Sequence, residues 1–339
     1  MRKYKVAIVG ATGAVGEEMK LILEERNFPV KKLSLFASGR SAGKTYDFAG
    51  GKIAVQELKE DSFHDMDIVL FSAGDEVSEH FAPLAVQQGT IVVDNCKYFR
   101  MDPQVPLVVP EVNPHDLKWH KGIIANPNCS TIQMVVALKP IYDEVGIERV
   151  VVATYQSVSG TGKEAIEELR SQNESITKGE EVKISAYPYQ IAYNLLPHIG
   201  SFKENGYTSE EMKMLDETRK ILGDDHIKVS ATTVRVPVYR AHSEVINVET
   251  KKKLSVQRTK ELLSNFPGIK VIDNPARLEY PLPLFAEGKD EVFVGRIRED
   301  ISTENGLVMW VVSDNLRKGA ALNAVQIAEK IIERKLFLK

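Results

Sequence analysis

Cys129 and His242 lie far apart in the chain, and between them they could carry nucleophilic chemistry. Cys129 stands in Asn126-Pro127-Asn128-Cys129-Ser130-Thr131, ahead of the apolar run Ile132 to Leu138. Pro127 discourages helix at Asn126, and the Ser/Thr pair before Ile132, Val135, Val136 and Leu138 marks a helix start. A thiol there meets unpaired backbone N–H groups and the positive end of the helix dipole. Both favour the thiolate and lower a reference pKa near ~8.5. The same N–H groups can hold an oxyanion. The plain alternative is a small buried cysteine packing the start of a core helix. Cys96, in Asn95-Cys96-Lys97, is a rival nucleophile, but no amphipathic helix follows it to supply a dipole. An acyl-transferring thiolate needs a partner that exchanges protons near neutral pH, usually histidine. Of the seven histidines, His242 is the candidate, because it starts a strand along which Glu244 points the same way. His198, between Pro197 and Ile199, is the runner-up. His64, His80, His115, His120 and His226 read as surface groups.

The chain before Cys129 supplies a nucleotide fold. Lys5 to Val9 is a short apolar strand, Gly10-Ala11-Thr12-Gly13-Ala14-Val15-Gly16 is a glycine-rich turn, and a helix runs from about Val15 to Arg26. In that context backbone N–H groups at the helix start face a pyrophosphate, although the spacing is GxxGxxG and not GxGxxG. The second strand, Lys32 to Ala37, lacks the terminal acid that binds an NAD ribose and runs into Ser38-Gly39-Arg40-Ser41. A guanidinium and a hydroxyl suit a 2′-phosphate, which favours NADP. A hydride carrier beside a cysteine implies acyl transfer through a thioester, coupled to reduction or oxidation of an aldehyde.

The elements that must position these groups alternate at first as strand and helix. Strands at Asp67 to Ser72 and Thr90 to Asp94 flank a helix at Val77 to Gln88, which predicts a Rossmann-type, doubly wound parallel sheet. Pro103, Pro106, Pro110 and Pro114 mark an extended loop. Beyond the Cys129 helix the pattern predicts a strand at Arg149 to Tyr155, a helix at Lys163 to Asn173, and irregular chain from Asn173 to Lys203. A helix opening at Thr208 or Ser209 follows, then strands at Val229 to Val236 and His242 to Val248 read as antiparallel. A helix at Leu254 to Asn265, strands at Glu291 to Ile297 and Gly306 to Val312, and a last helix at Ala320 to Lys335 complete the chain. This describes an α+β domain with a mostly antiparallel sheet and helices on one face. The expected division is 1–128 with 314–339 as the NADP-binding domain, and 129–313 as the catalytic and dimerisation domain.

With 339 residues, 43% apolar content and a net charge of −3, the chain is an ordinary globular protein with room for two cores. Lys and Arg are scattered, which argues against nucleic acid as a partner. Two distant cysteines make neither a disulfide framework nor a CxxC metal site, and no metal is expected. No signal or membrane-length segment appears, which places the protein in the cytoplasm, where a thiolate survives.

Four blocks occur in one order: Val6 to Gly16, Asn126 to Thr131, Gln156-Ser157-Val158-Ser159-Gly160-Thr161-Gly162, and Arg235-Val236-Pro237-Val238 with His242. Together they resemble the aspartate-semialdehyde dehydrogenase family over essentially the whole chain. The resemblance implies NADPH-dependent, phosphate-releasing reduction of L-aspartyl 4-phosphate to L-aspartate 4-semialdehyde, a step toward lysine (through diaminopimelate), threonine and methionine. It makes Cys129 the thioester nucleophile, His242 the acid/base and Gln156 the residue that orients substrate. Arg235 would hold the α-carboxylate, Arg100 and Lys213 the acyl phosphate, and Glu210 the α-amino group. On the cofactor side it implies Gly10, Thr12, Gly13, Ala14 and Val15 at the pyrophosphate, Arg40 and Ser41 at the 2′-phosphate, and Ser159, Gly160 and Asn315 near the nicotinamide. The partners implied are a small-molecule substrate, inorganic phosphate and a second copy of the chain, as a homodimer or a homotetramer. Two other readings stay open: a reductase of another acyl phosphate, of the N-acetylglutamyl phosphate type, and a non-catalytic NADP-binding sensor.

Overall fold

The computed structural model describes residues 2–338. They form two compact units: the residues up to Asn128 together with those from Ala320 onward, and Cys129–Gly319. The return crossing thus falls at Gly319/Ala320, and not at residue 314.

In the first unit the chain runs β1 (Tyr4–Val9), α1 (Ala14–Glu25), β2 (Val30–Ala37), β3 (Thr45–Phe48), β4 (Gly51–Glu57), β5 (Ile68–Phe71), α2 (Asp75–Gln87), β6 (Ile91–Asp94) and β7 (Ile123–Ala125). The sheet order is β3-β4-β2-β1-β5-β6-β7. Val6 to Val9 and Ile68 to Phe71 are buried without alternation, as central parallel strands covered on both faces must be. The final helix, Leu322–Arg334, buries Leu322, Val325, Ala328 and Ile331 in the same core. The β3–β4 hairpin and the three-residue β7 were not anticipated: the hairpin strands are mostly exposed and lack the apolar run that betrays β1, β2, β5 and β6. β4 nevertheless joins the sheet, parallel to β2 with Ala37 opposite Glu57.

The glycines of the first turn are there for space. Gly10 has φ +83°, and a Cβ on it would stand 2.1 Å from the Ser72 carbonyl oxygen. A Cβ on Gly16 would stand 2.3 Å from the Gly10 carbonyl oxygen, so only glycine lets α1 approach the turn.

The second unit runs α3 (Cys129–Val145), β8 (Ile147–Gln156), α4 (Lys163–Lys178), α5 (Ser209–Leu222), β9 (Lys228–Arg235), β10 (His242–Thr250), α6 (Val256–Asn265), β11 (Ile269–Val271), β12 (Val292–Glu299) and β13 (Gly306–Ser313). Its sheet order is β11-β12-β13-β10-β8-β9. The expected antiparallel pairing of β9 with β10 does not occur. β8 lies between them, antiparallel to β10 and parallel to β9, and the sheet as a whole remains mostly antiparallel. That arrangement has a consequence for chemistry, because it sets Gln156 directly beside Arg235. The same sheet sets His242 opposite Ser313. Helices α3, α5 and α6 cover one face. α4 runs past the expected Asn173 to Lys178, where Gly179 at φ +71° ends it. α5 opens with a capping box in which Thr208 accepts from Glu211 N–H and Glu211 accepts from Thr208 N–H.

Gly16→Ala should lower stability by ~2–4 kcal/mol, the range for a forced backbone shift in a packed turn. Chemical denaturation tests this, and an unchanged midpoint would contradict the packing described.

Candidate functional site

The second unit gathers its polar residues where β8, β9 and β10 meet the chain that follows β13. Cys129 is the first residue of α3 and is partly exposed. Its Cβ lies 2.9 Å from where a Cβ on Gly319 would stand, so the glycine is what lets the 315–319 segment pass over the cysteine. That segment is held by Asp314, fully buried, which accepts from the N–H groups of Leu316, Arg317 and Gly288 and pairs with Arg240 at 2.7 Å.

His242 is 0% exposed. Its Nδ1 accepts from the Ser157 N–H at 3.1 Å, with Ser157 Oγ at 3.0 Å, while Nε2 is buried without a hydrogen-bond partner among the described residues. Asn315 Oδ1 accepts from Ser157 Oγ, Ser159 Oγ and the Ala241 N–H, all within 3.1 Å. Asn315 and Ser159 therefore form the layer that fixes Ser157 and, through it, the imidazole. A Cβ on Gly160 would stand 3.1 Å from His242 Nε2 and 3.0 Å from Arg235 Nη1, so this glycine borders both groups.

Burial pushes the His242 pKa down to about 3; the Arg235 guanidinium adds to this, while the Glu210 carboxylate and the Ala241 backbone oppose it. In these surroundings the charged form of the ring is disfavoured. The ring is a neutral imidazole with its proton on Nε2, a hydrogen-bond donor.

Arg235, also buried, donates from Nη1 to the Ser157 carbonyl at 2.6 Å, and its Nε has no protein partner. A buried guanidinium with an unused N–H calls for an anionic acceptor. Gln156 donates to Thr154 Oγ1 at 3.4 Å and to Glu210 Oε1 at 3.3 Å, and Glu210 Oε2 accepts from Lys213 at 2.9 Å. The Glu210 side chain is only 7% exposed, so the pair is not the solvated surface contact that its i, i+3 spacing would otherwise suggest.

Cys96 does not compete. Burial, with the Asp94 carboxylate beside it, pushes its thiol up to about 12. His198 stacks on Phe202 at 4.5 Å and takes no part in this cluster. Ser157 and Asp314 are the residues whose roles here sequence reasoning missed. Ser157 acts through its backbone, which no residue type announces. Glu244 lies beside Gln133 of α3, and burial raises its pKa well above the ordinary value.

In the first unit Gly10, Thr12, Gly13, Ser38, Gly39 and Arg40 line a cleft of about 610 Å³. Gly13 precedes α1 with no side-chain cap, and Ala14 and Val15 form the first helical positions. A Cβ on Gly13 would meet only the Gly10 carbonyl oxygen, at 3.4 Å, so the approach to these N–H groups is open. Thr12 Oγ1 donates to Ser41 Oγ at 3.5 Å, which links the turn to the loop after β2. The cradle fits a dinucleotide. Arg100, of the same unit, donates from Nη2 to the Asn95 carbonyl at 2.7 Å.

Residues 5–120 match the family described as semialdehyde dehydrogenase, NAD binding domain, and residues 138–318 the semialdehyde dehydrogenase dimerisation domain. The chain is 60% identical to the aspartate-semialdehyde dehydrogenase of Aquifex aeolicus over 338 residues, which cover 98% of this chain and 99% of that one. The chain belongs to the aspartate-semialdehyde dehydrogenase family. Among solved structures of this family it superposes on aspartate semialdehyde dehydrogenase II of Vibrio cholerae complexed with ASA, with a TM-score of 0.96 and 50% identity over 98% of this chain and 99% of that one. The Candida albicans family member, solved with NADP, gives 0.78 at 28% identity over 99% and 100% of the two chains.

Two buried groups of opposite habit make the stability of this family member depend on pH. His242 is neutral when folded, so its contribution is full above its ordinary pKa of 6.5 and is lost at about 1.4 kcal/mol per pH unit as pH falls toward 3. Glu244 is held protonated, so its contribution is full below 4.5 and is lost as pH rises toward its raised pKa. Between pH 4.5 and 6.5 the two slopes oppose each other. Over that window denaturation midpoints should rise with pH in Glu244→Gln and fall with pH in His242→Asn. Equal slopes in the two variants would refute these protonation states.

Proposed function

We propose that the chain catalyses the reversible, NADPH-dependent reductive dephosphorylation of L-aspartyl 4-phosphate to L-aspartate 4-semialdehyde, with Cys129 as the acyl carrier. The observation that carries this reading is the pair of buried side chains that border Gly160, Arg235 and His242, whose Nε and Nε2 have no acceptor among the described residues and which belong to the unit whose first residue is Cys129. Arg235 takes the α-carboxylate of the substrate. Glu210, already a hydrogen-bond acceptor for Gln156, takes the free ammonium, which an N-acylated substrate would lack. Lys213 offers its charge to the phosphate.

The Cys129 thiolate, favoured by the start of α3, attacks the acyl carbon. His242 donates its Nε2–H to the acyl oxygen as that oxygen gains charge, and the Ser157 N–H keeps the ring turned to do so. Collapse expels phosphate, which takes up one proton from solvent as it leaves, and a thioester remains on Sγ. The Gly10 to Val15 turn with Arg40 and Ser41 would hold NADPH, which would supply the hydride that the thioester needs. The Nε2–H then holds the second oxyanion until the thiolate leaves and the aldehyde is released.

The chain works as a homodimer in the cytoplasm, where reducing conditions preserve a thiolate. The face of the second sheet away from α3 carries Tyr155 and Trp310, with ring centroids 5.7 Å apart and partly exposed, and suits a second copy. No helix among the described residues is long and apolar enough to cross a membrane.

Phosphate-dependent NADP reduction with L-aspartate 4-semialdehyde tests the reading. Cys129→Ser should abolish turnover and keep NADPH binding, whereas a sensor would show no activity to lose. His242→Ala should slow kcat by ~10²–10³, the usual cost of one oxyanion donor. A preference for N-acetylglutamyl semialdehyde would overturn the substrate assignment. Gly160→Ala should lower kcat about tenfold while the midpoint of unfolding holds, since its methyl crowds the imidazole and guanidinium at the lip of the site.

A further inference from the structure

The first unit carries an acid that the sequence pattern concealed. β2 ends in Ala37-Ser38, without the carboxylate that takes ribose hydroxyls in NAD-binding folds. β4, parallel to it, ends at Glu57 directly opposite Ala37. From there Glu57 leans over the turn Gly39–Ser41: a Cβ on Gly39 would stand 2.6 Å from Glu57 Oε1 and 3.4 Å from its Cδ. Glu57, Gly39, Arg40 and Thr12 line one cleft. That cleft therefore presents two opposed preferences. The Arg40 guanidinium attracts a 2′-phosphate. The Glu57 carboxylate repels one and accepts from a 2′-hydroxyl.

We infer that Glu57 is a specificity-determining residue of the cofactor cleft: it receives the unphosphorylated ribose of NAD and lets NAD compete with NADP against the bias set by Arg40. This rests on the cofactor reading above.

The test uses the full chain. The ratio of kcat/KM for NADP to that for NAD is measured with aspartate 4-semialdehyde and phosphate, and binding of adenosine 2′,5′-bisphosphate and of 5′-AMP is measured by calorimetry. Glu57→Gln should raise the ratio about tenfold, tightening the bisphosphate and weakening AMP. Gly39→Ala should act in the same direction, because its backbone is not left-handed and its new methyl displaces the flexible carboxylate. Arg40→Ala should lower the ratio. An unchanged or lowered ratio in Glu57→Gln, with both nucleotides still bound, overturns the role given to Glu57. If the unaltered chain binds neither nucleotide, the cofactor reading itself fails.

Discussion

An amide N–H can only donate, so the 3.1 Å bond from Ser157 to Nδ1 of His242 makes that nitrogen an acceptor and leaves the proton of the neutral ring on Nε2. Protonating Nδ1 would set two donors against each other, and burial, with the Arg235 guanidinium beside it, separately holds the pKa of the ring down. The ring is thereby fixed as a donor at Nε2. Cys129 itself stands at the first position of α3, where the positive end of the helix dipole favours a thiolate.

The supports of that bond come from distant stretches of chain that the second sheet collects. β8 delivers Gln156 and Ser157, β9 delivers Arg235 and β10 delivers His242, all at adjoining strand ends. The chain leaving β13 then brings Asp314 and Asn315 beneath them and Gly319 against Cys129. Asn315 spends its single carbonyl oxygen on three donors, two of them serine hydroxyls, so the layer has little freedom to rearrange. Glycine at 160 and 319 is required by proximity and not by backbone angle, since a Cβ would crowd the reacting groups themselves.

The sequence displayed the parts whose signal is local. The first strand, glycine turn and helix could be read from an apolar run and three small residues, and α3 with its leading cysteine from a proline, two hydroxyl residues and a run of aliphatics. The candidate residues of the second unit were nameable because family blocks carry them, and the structure brings Gln156, Arg235, Glu210, Lys213 and His242 into linked contact. What stayed hidden depends on neighbours in space. The parallel pairing of β9 with β8 is a matter of topology that hydrophobic alternation does not encode. The protonation state of His242 depends on burial, and burial was invisible in a histidine flanked by alanine and serine. The β3–β4 hairpin turns only Tyr46, Phe48, Ile53 and Val55 toward the core and is otherwise exposed, and with it Glu57 escaped notice, although it stands where the missing ribose acid would be sought.

The most direct test of the account is the tautomer of His242 itself. Nitrogen chemical shifts in 15N-histidine-labelled protein, with the His242 signal assigned by its loss in His242→Asn, should show a neutral ring protonated at Nε2 and unchanged from pH 5 to pH 8. A ring that titrates within that range, or one protonated at Nδ1, would contradict the account.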